Sequence, residues 1–283
     1  MNSALNPSDT STWLPLDELA PGFDANKAPH STALAGKVVA VTGHSGSRLR
    51  FSFTADSVDW QLRAPDHSAL PSIEGKDRYE AFDVDEGLFF VQLHASGTAH
   101  LAMSIVLDEA HGRALFIMQG IGELLPGSTA VRQHFEPCTI DGAASAGEAL
   151  APTTTLLGRR VMWEYSPVHA YEHVYLSPQW YSWQCLAGPE RGLADTDENS
   201  VFQIRPGIYV FAWREKVIPC ASVTIADHRD INAIRSHGVL FGLDESGTIP
   251  THFTFGAFGR LLSTTVHPPE FAPQNEVPAK RAS

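Results

Sequence analysis

Cysteine is scarce, with three in 283 residues. Cys138, Cys185 and Cys220 lie far apart and are odd in number, which fits neither a disulfide framework nor a zinc-ligand spacing. A reducing cytoplasm suits such a chain. Basic residues are few as well. Twenty Lys and Arg face 32 Asp and Glu, for a formal net charge of −12, and no basic block stands out. That argues against nucleic acid as a partner. No apolar run reaches the length of a membrane helix. Residues 1–24 have no basic n-region and no apolar h-region, so no secretory signal is expected. Common catalytic signatures are missing too: no G-x-S-x-G elbow, no P-loop, no G-x-G-x-x-G after a strand and no H-E-x-x-H. No cysteine has a visible activating partner. The chemistry left open is cofactor-free acid–base work by Tyr, His and carboxylates. The balance of 43% hydrophobic and 18% charged residues is that of a folded globular chain.

What the chain does have is repetition. "LAGKVVAV" from Leu34 answers "LLGRRVMW" from Leu156, and "SVDWQL" from Ser57 answers "WYSWQCL" from Trp180. "YEAFDVDEGLFFVQLH", ending at His94, answers "NSVFQIRPGIYVFAWR", ending at Arg214. "LAMSIVLDEAHGRALF" from Leu101 answers "PCASVTIADHRDINAI" from Pro219. Four matches in order, all about 120 residues apart, indicate a duplicated unit. Each unit reads as β. Leu49, Phe51 and Phe53 alternate with Arg48, Arg50 and Ser52, the period-two signal of a half-buried strand. "DEG" at Asp85 and "RPG" at Arg205 read as turns. Short strands joined by turns, with no convincing amphipathic helix, predict up-and-down meanders that close into barrels. A barrel of about eight strands can hold one small ligand.

The expected layout is an N-terminal arm or lid (1–30), a first barrel (31–140), a polar linker (141–155), a second barrel (156–266) and a proline-rich tail (267–283).

The stretch "HAYEHVYLSPQWYSWQCLAG", from His169, concentrates rings. His169, Tyr171, His173 and Tyr175 share one strand face. Either they cover the outside of the barrel, where amphipathic rings are common, or they line a cavity. His169 and His173 are no metal pair, because four residues of strand span about 13 Å. "ADHRD", with Asp227, His228 and Asp230, reads as a solvated turn. No metal is expected.

"WLPLDELAPGFDANKAP" from Trp13, the paired "L-x-G" strands and "PGIYVFAWRE" from Pro206 resemble the molybdenum cofactor biosynthesis protein F (MoaF)-like family. The likeness covers most of the chain and implies two calycin-type domains. It implies no reaction, and no molybdopterin chemistry is inferred from it. Between Val161 and Phe241, "VMWEY", "AYEHVYL", "PGIYVFAWRE" and "HGVLF" also resemble phenolic acid decarboxylases, single calycin barrels that work without cofactor. That family carries a Tyr-x-Tyr, an Arg and a Glu. The resemblance sets Trp163 and Tyr165 on the Tyr-x-Tyr, Gln184 at the Arg and Glu198 at the Glu. A Gln cannot clamp a carboxylate as a permanent cation would, and an indole is no phenolic acid. This argues against decarboxylation of a hydroxycinnamate. It leaves an expected set of Tyr165, Glu198, Gln184 and Trp163 around a neutral or weakly polar aromatic substrate. On this reading Gln184, Ser182 and Trp180 face inward, Tyr181 and Trp183 pack outward, and Tyr171 and His173 line the cavity if their strand is oriented to match. Val39, Gln61 and Arg78 stand at the matching positions of the first unit, which is expected to be scaffold or a second pocket.

The functional expectation is a cofactor-free lyase or isomerase on a small aromatic or phenolic metabolite. Glu198 is its general acid/base and Tyr165 its hydrogen-bond donor. Trp163, Gln184, Tyr171 and His173 bind the substrate. The alternative is a carrier or sensor of a small apolar ligand, and that reading gains if Glu198 is exposed or paired with Arg205 or Arg214. A third reading, a structural subunit in cofactor assembly, requires a filled barrel and an exposed apolar patch. Homo-oligomerisation is left open, and no membrane partner is expected.

Overall fold

The computed structural model describes residues 9–66, 68, 70–94, 100–123 and 128–275. It contains two closed barrels in tandem, each of eight antiparallel strands paired in chain order. The first is β1 (Val38–Gly43), β2 (Arg48–Phe53), β3 (Ser57–Arg63), β4 (Ile73–Asp85), β5 (Leu88–His94), β6 (Leu101–Asp108), β7 (Arg113–Ile121) and β8 (Val131–Ile140). The second is β9 (Arg159–Glu164), β10 (Ala170–Tyr175), β11 (Trp180–Ala187), β12 (Ala194–Arg205), β13 (Ile208–Arg214), β14 (Cys220–Asp227), β15 (Ile234–Leu243) and β16 (Pro250–Thr264). Closure comes from β1 pairing with β8 and β9 with β16. The all-β, tandem calycin-like architecture expected from the strand pattern is the fold observed.

The duplication extends to the backbone. The β4–β5 turn and the β12–β13 turn each carry a glycine at positive φ, Gly87 at 62° and Gly207 at 81°. Each turn is preceded by the same register slip, at Asp83/Asp85 and at Gln203/Arg205. Each barrel also buries a Trp–Asp pair. Trp60 Nε1 donates to Asp77 Oδ2, and Trp183 Nε1 donates to Asp197 Oδ2, both at 2.8 Å.

Strands β5, β6 and β7 are buried on both faces, because the barrels pack side by side. Phe82, Leu88, Phe90, Val106, Leu115 and Ile117 of the first meet Phe202, Ile204, Ile208, Val210, Val223 and Ile225 of the second. Arg205 crosses this seam to Asp85 (2.8 Å) and to Asp108 (2.6 Å), and Asp108 is fully buried. This explains why "GLFFVQL" reads as a continuous apolar run rather than an alternation.

The N-terminal arm lies over the second barrel before the chain enters the first. Its short helix α1 (Leu16–Leu19), Trp13 and Phe23 join the second barrel's core. Asn26 N–H donates to Tyr165 O (3.2 Å), and Ser31 N–H then donates to Ala81 O (2.7 Å) in the first barrel. Residues 1–8 of the expected arm and 276–283 of the expected tail lie outside the described residues. No helix among the described residues is long and apolar enough to cross a membrane. All three cysteines are free and buried.

Candidate functional site

The two barrels differ most in what fills them. Strand register sets matching positions side by side: Val39 pairs with Phe51 as Val161 pairs with His173, and Val41 pairs with Leu49 as Trp163 pairs with Tyr171. Across the next seam Phe53 pairs with Val58 as Tyr175 pairs with Tyr181, and Leu49 pairs with Leu62 as Tyr171 pairs with Cys185. Where the first barrel holds Leu49, Phe51, Phe53 and Val58, the second holds Tyr171, His173, Tyr175 and Tyr181. All eight side chains are buried. At these four positions the first barrel is hydrocarbon, and the second carries three phenols and an imidazole.

The second interior keeps a small cavity of about 60 Å3, walled by Tyr165, Tyr171, His173, Tyr181, Trp183, Trp213, Glu190, Glu215, Ile218, Cys220, Leu240 and Phe255. Leu19 and Phe23 of the arm complete its lining. Phe23 stacks on Tyr165 with ring centroids 4.3 Å apart and meets Phe255 edge-on at 5.8 Å.

Two carboxyl groups reach this cavity. Glu190, in the β11–β12 loop, accepts a hydrogen bond from the Tyr171 hydroxyl at 2.7 Å. Burial pushes its pKa up, and the Tyr171 bond offsets this only in part. Glu215 follows β13 on the same face as Phe211 and Trp213. It is 4% exposed, and its Oε1 accepts from the backbone N–H groups of Lys216 (3.1 Å) and Val217 (3.2 Å). Burial, and then the adjoining Asp197 carboxyl, hold Glu215 well above the usual carboxylate range. Asp197 is raised too, chiefly by burial, although the Trp183 N–H bond and Lys216 favour its anion. Two such carboxyls in contact share one proton rather than both ionise.

Oxygens of Asp195, Asp197 and Glu215 lie within 4.8 Å of one another, a spacing suited to a cation. The Lys216 ammonium serves this cluster, 2.5 Å from Asp195 and 3.6 Å from Asp197. His173 is the imidazole of the wall. Burial lowers its pKa to about 3, so it is neutral, and its Nδ1 has no hydrogen-bond partner. The Tyr165 hydroxyl makes no hydrogen bond among the described residues, and burial raises its pKa.

The residues expected from the sequence divide between inside and outside. Tyr165, Tyr171 and His173 line the cavity. Trp163 is inside the barrel but not on the cavity wall, 6.2 Å from His173 and 5.9 Å from His228 between ring centroids. Gln184 and Glu198 lie outside the barrel, so the four-residue set read from the decarboxylase likeness does not assemble. Gln184 donates to Glu172 on the outer face. Glu198 is 45% exposed and accepts from Arg214 Nε at 3.1 Å. The inward residues of β11 are Tyr181, Trp183 and Cys185; those of β12 are Asp197, Asn199 and Val201. A shift of one residue reverses a strand's faces. Turning Tyr181 and Trp183 inward buries more apolar surface than turning Ser182 and Gln184 inward. The repeat itself held the clue, since Val58, Trp60 and Leu62 form the apolar face of β3. Glu215 could be found by extending the Phe211–Trp213 alternation. Glu190, in a loop, has no such signal. Of the "ADHRD" turn, Asp227 pairs with Arg229 at 2.6 Å, but His228 is buried inside the barrel.

Comparison with known proteins agrees with this two-barrel layout. The MoaF N-terminal domain matches residues 11–123, and the MoaF C-terminal domain matches residues 150–265. The chain belongs to the MoaF family. Protein MoaF of Klebsiella aerogenes is 29% identical over 269 residues, covering 90% of this chain and 97% of that protein. Neither name states a reaction. Within this MoaF-family chain, the two matched regions coincide with the arm and most of the first barrel, and with the whole second barrel.

Proposed function

We propose that the second barrel binds a small aromatic or apolar metabolite and moves a proton on it, as a cofactor-free lyase or isomerase of the cytoplasm. The observation that carries this reading is Glu215. It is buried on the cavity wall, makes no ion pair within 4 Å among the described residues, and adjoins a second buried carboxyl, Asp197. A carrier has little reason to bury such a group, because an unpaired charge in an apolar site is costly. A carboxyl with a raised pKa that shares a proton can both give and take one. Glu215 takes the acid/base role here. Tyr165, whose hydroxyl is free in the cavity, donates to a substrate oxygen and stabilises charge developing there. Tyr171 joins it when Glu190 is protonated, since Glu190 then donates to the phenol and frees the phenolic proton. The rings of Trp183 and Trp213 form flat apolar walls against which an aromatic substrate packs. No nucleic-acid or membrane partner enters this reading.

The pairing of Glu198 with Arg214 favours the alternative, a carrier or sensor, because it removes the carboxylate first expected to do chemistry. The experiment compares wild type with Glu215→Gln after exposure to an extract of cells that make the protein, by native mass spectrometry. The expected result is a metabolite retained by the variant and converted by wild type, with turnover on that compound lower in the variant by about two to four decades. The same intact compound held by both proteins would make this a carrier.

A further inference from the structure

We propose that the occupant of this cavity is an organic cation: a small aromatic or arylalkyl primary amine, bound as its ammonium. The proposal rests on the reading of the second-barrel cavity as the ligand site, and adds the charge of the ligand.

The first ground is the sign of the wall. Two carboxyl groups, Glu190 and Glu215, line the cavity, and no Lys or Arg does. Glu190 has a phenol as its side-chain partner, and Glu215 has backbone N–H groups and Asp197. The adjacent protein cation, Lys216, is 46% exposed and engages Asp195, the Thr196 carbonyl and, at 3.6 Å, Asp197, and it forms no ion pair within 4 Å with Glu190 or Glu215. His173 on the wall is neutral. An anionic ligand would find no counter-charge on the wall. A cation would supply the counter-charge that these buried carboxyls lack.

The second ground is the rings. Tyr165, Tyr171, Tyr181, Trp183, Trp213 and Phe255 surround the space between the two carboxyls. Ring faces attract a desolvated ammonium, and tryptophan does so most strongly. Aromatic walls with carboxyls set into them form the chemical complement of an arylalkylammonium: ring on ring, charge on charge.

The third ground is the first barrel, which serves as an internal control. It keeps the Trp60–Asp77 pair, the counterpart of Trp183–Asp197, yet sets Leu49, Phe51 and Val58 where the second barrel has Tyr171, His173 and Tyr181. The barrel therefore closes without Tyr171, His173 or Tyr181 at these positions, and the polar rings of the second barrel are free to serve a ligand.

Binding is coupled to a proton. Burial disfavours the ionised form of both carboxyls in the empty site. An entering ammonium stabilises the carboxylate, so association releases a proton from Glu215 or Glu190 to solvent, and no bond in the ligand changes.

The test uses the full chain and matched probes: benzylamine and 2-phenylethylamine, their neutral counterparts benzyl alcohol and 2-phenylethanol, and the anion benzoate. Binding is read by quenching of tryptophan fluorescence and by calorimetry in two buffers of different ionisation enthalpy. The expected result is an amine at least about tenfold tighter than its alcohol, with proton release and no detectable benzoate binding. In Glu190→Gln/Glu215→Gln the amine and alcohol should bind about equally. An alcohol that binds as tightly as its amine to wild type overturns the cation proposal and leaves the cavity reading standing. Failure of all five probes overturns both. The wild-type comparison stands even if the double variant does not fold.

Discussion

Replacing His173 by Phe should stabilise this protein, and stabilise it more as the solution becomes acidic. The residue is buried in the second barrel, with ring centroids 5.2 Å from Tyr181 and 5.6 Å from Phe211, and its Nδ1 is unpartnered. Its counterpart in the first barrel is a buried phenylalanine, Phe51, so the site's geometry admits that shape. Near neutrality the change removes one unsatisfied buried polar group, worth about 1–3 kcal/mol. Acid adds a second effect. Burial lowers the folded-state pKa of His173 from 6.5 to about 3. Between those values the unfolded chain takes up a proton that the folded chain refuses. Stability from this group is thus fully present above pH 6.5 and is lost as pH falls toward 3. At about pH 5 the loss amounts to about 2 kcal/mol, from 1.36 kcal/mol per unit. Phenylalanine suffers none of it. The assay is urea unfolding of wild type and variant at about pH 7.5 and about pH 5. His228 and His237, both lowered to about 3, and His252, lowered to about 4, share the same direction. The buried carboxyls Glu190 and Glu215, raised by burial, act in the opposite sense. Both sets remain in the variant, so the difference between the two proteins isolates one imidazole. An advantage that fails to grow between the two pH values would refute the argument, because it would mean that His173 is protonated in the folded state.

Three further outcomes follow from the same structure. Glu198→Gln should change stability by less than about 1 kcal/mol and leave ligand binding and turnover unaltered, since Glu198 sits in a half-exposed pair outside the barrel; a loss of turnover on any substrate would return it to the site. Arg205→Ala leaves fully buried Asp108 with only Arg113 and His111, and should cost about 3–5 kcal/mol in denaturant unfolding, with a cost under about 1 kcal/mol counting against the seam as described. Trp183→Phe deletes the N–H that Asp197 accepts from, which should destabilise by about 1–3 kcal/mol and weaken benzylamine binding; Trp60→Phe should show the stability loss alone.

The strands, their duplication and the barrel topology were legible in the residues. Alternation such as Leu49–Phe51–Phe53 marks a half-buried strand wherever one face is apolar and the other is charged. The repeated "L-x-G" starts and the paired "DEG" and "RPG" turns place both barrels in register. The site was legible only in part. Tyr171 and His173 stood out because polar rings alternated along β10. The choice of faces on β11 was not visible there, because Trp180 stands on one face and Tyr181 with Trp183 on the other. Both faces carry a large ring, and local pattern cannot say which one turns inward.

Repetition and strand period by themselves determined two tandem β-barrels. Tertiary structure alone decided which carboxyls matter. Glu198 lies within β12, opposite Arg214, and Glu215 directly follows β13, in a chain rich in acids. Closing the barrel sends one out to Arg214 and brings the other against Asp197 and the aromatic cavity. That outcome depends on the register of β12 and β13, which is set by burial summed over the whole barrel rather than by any short run of residues.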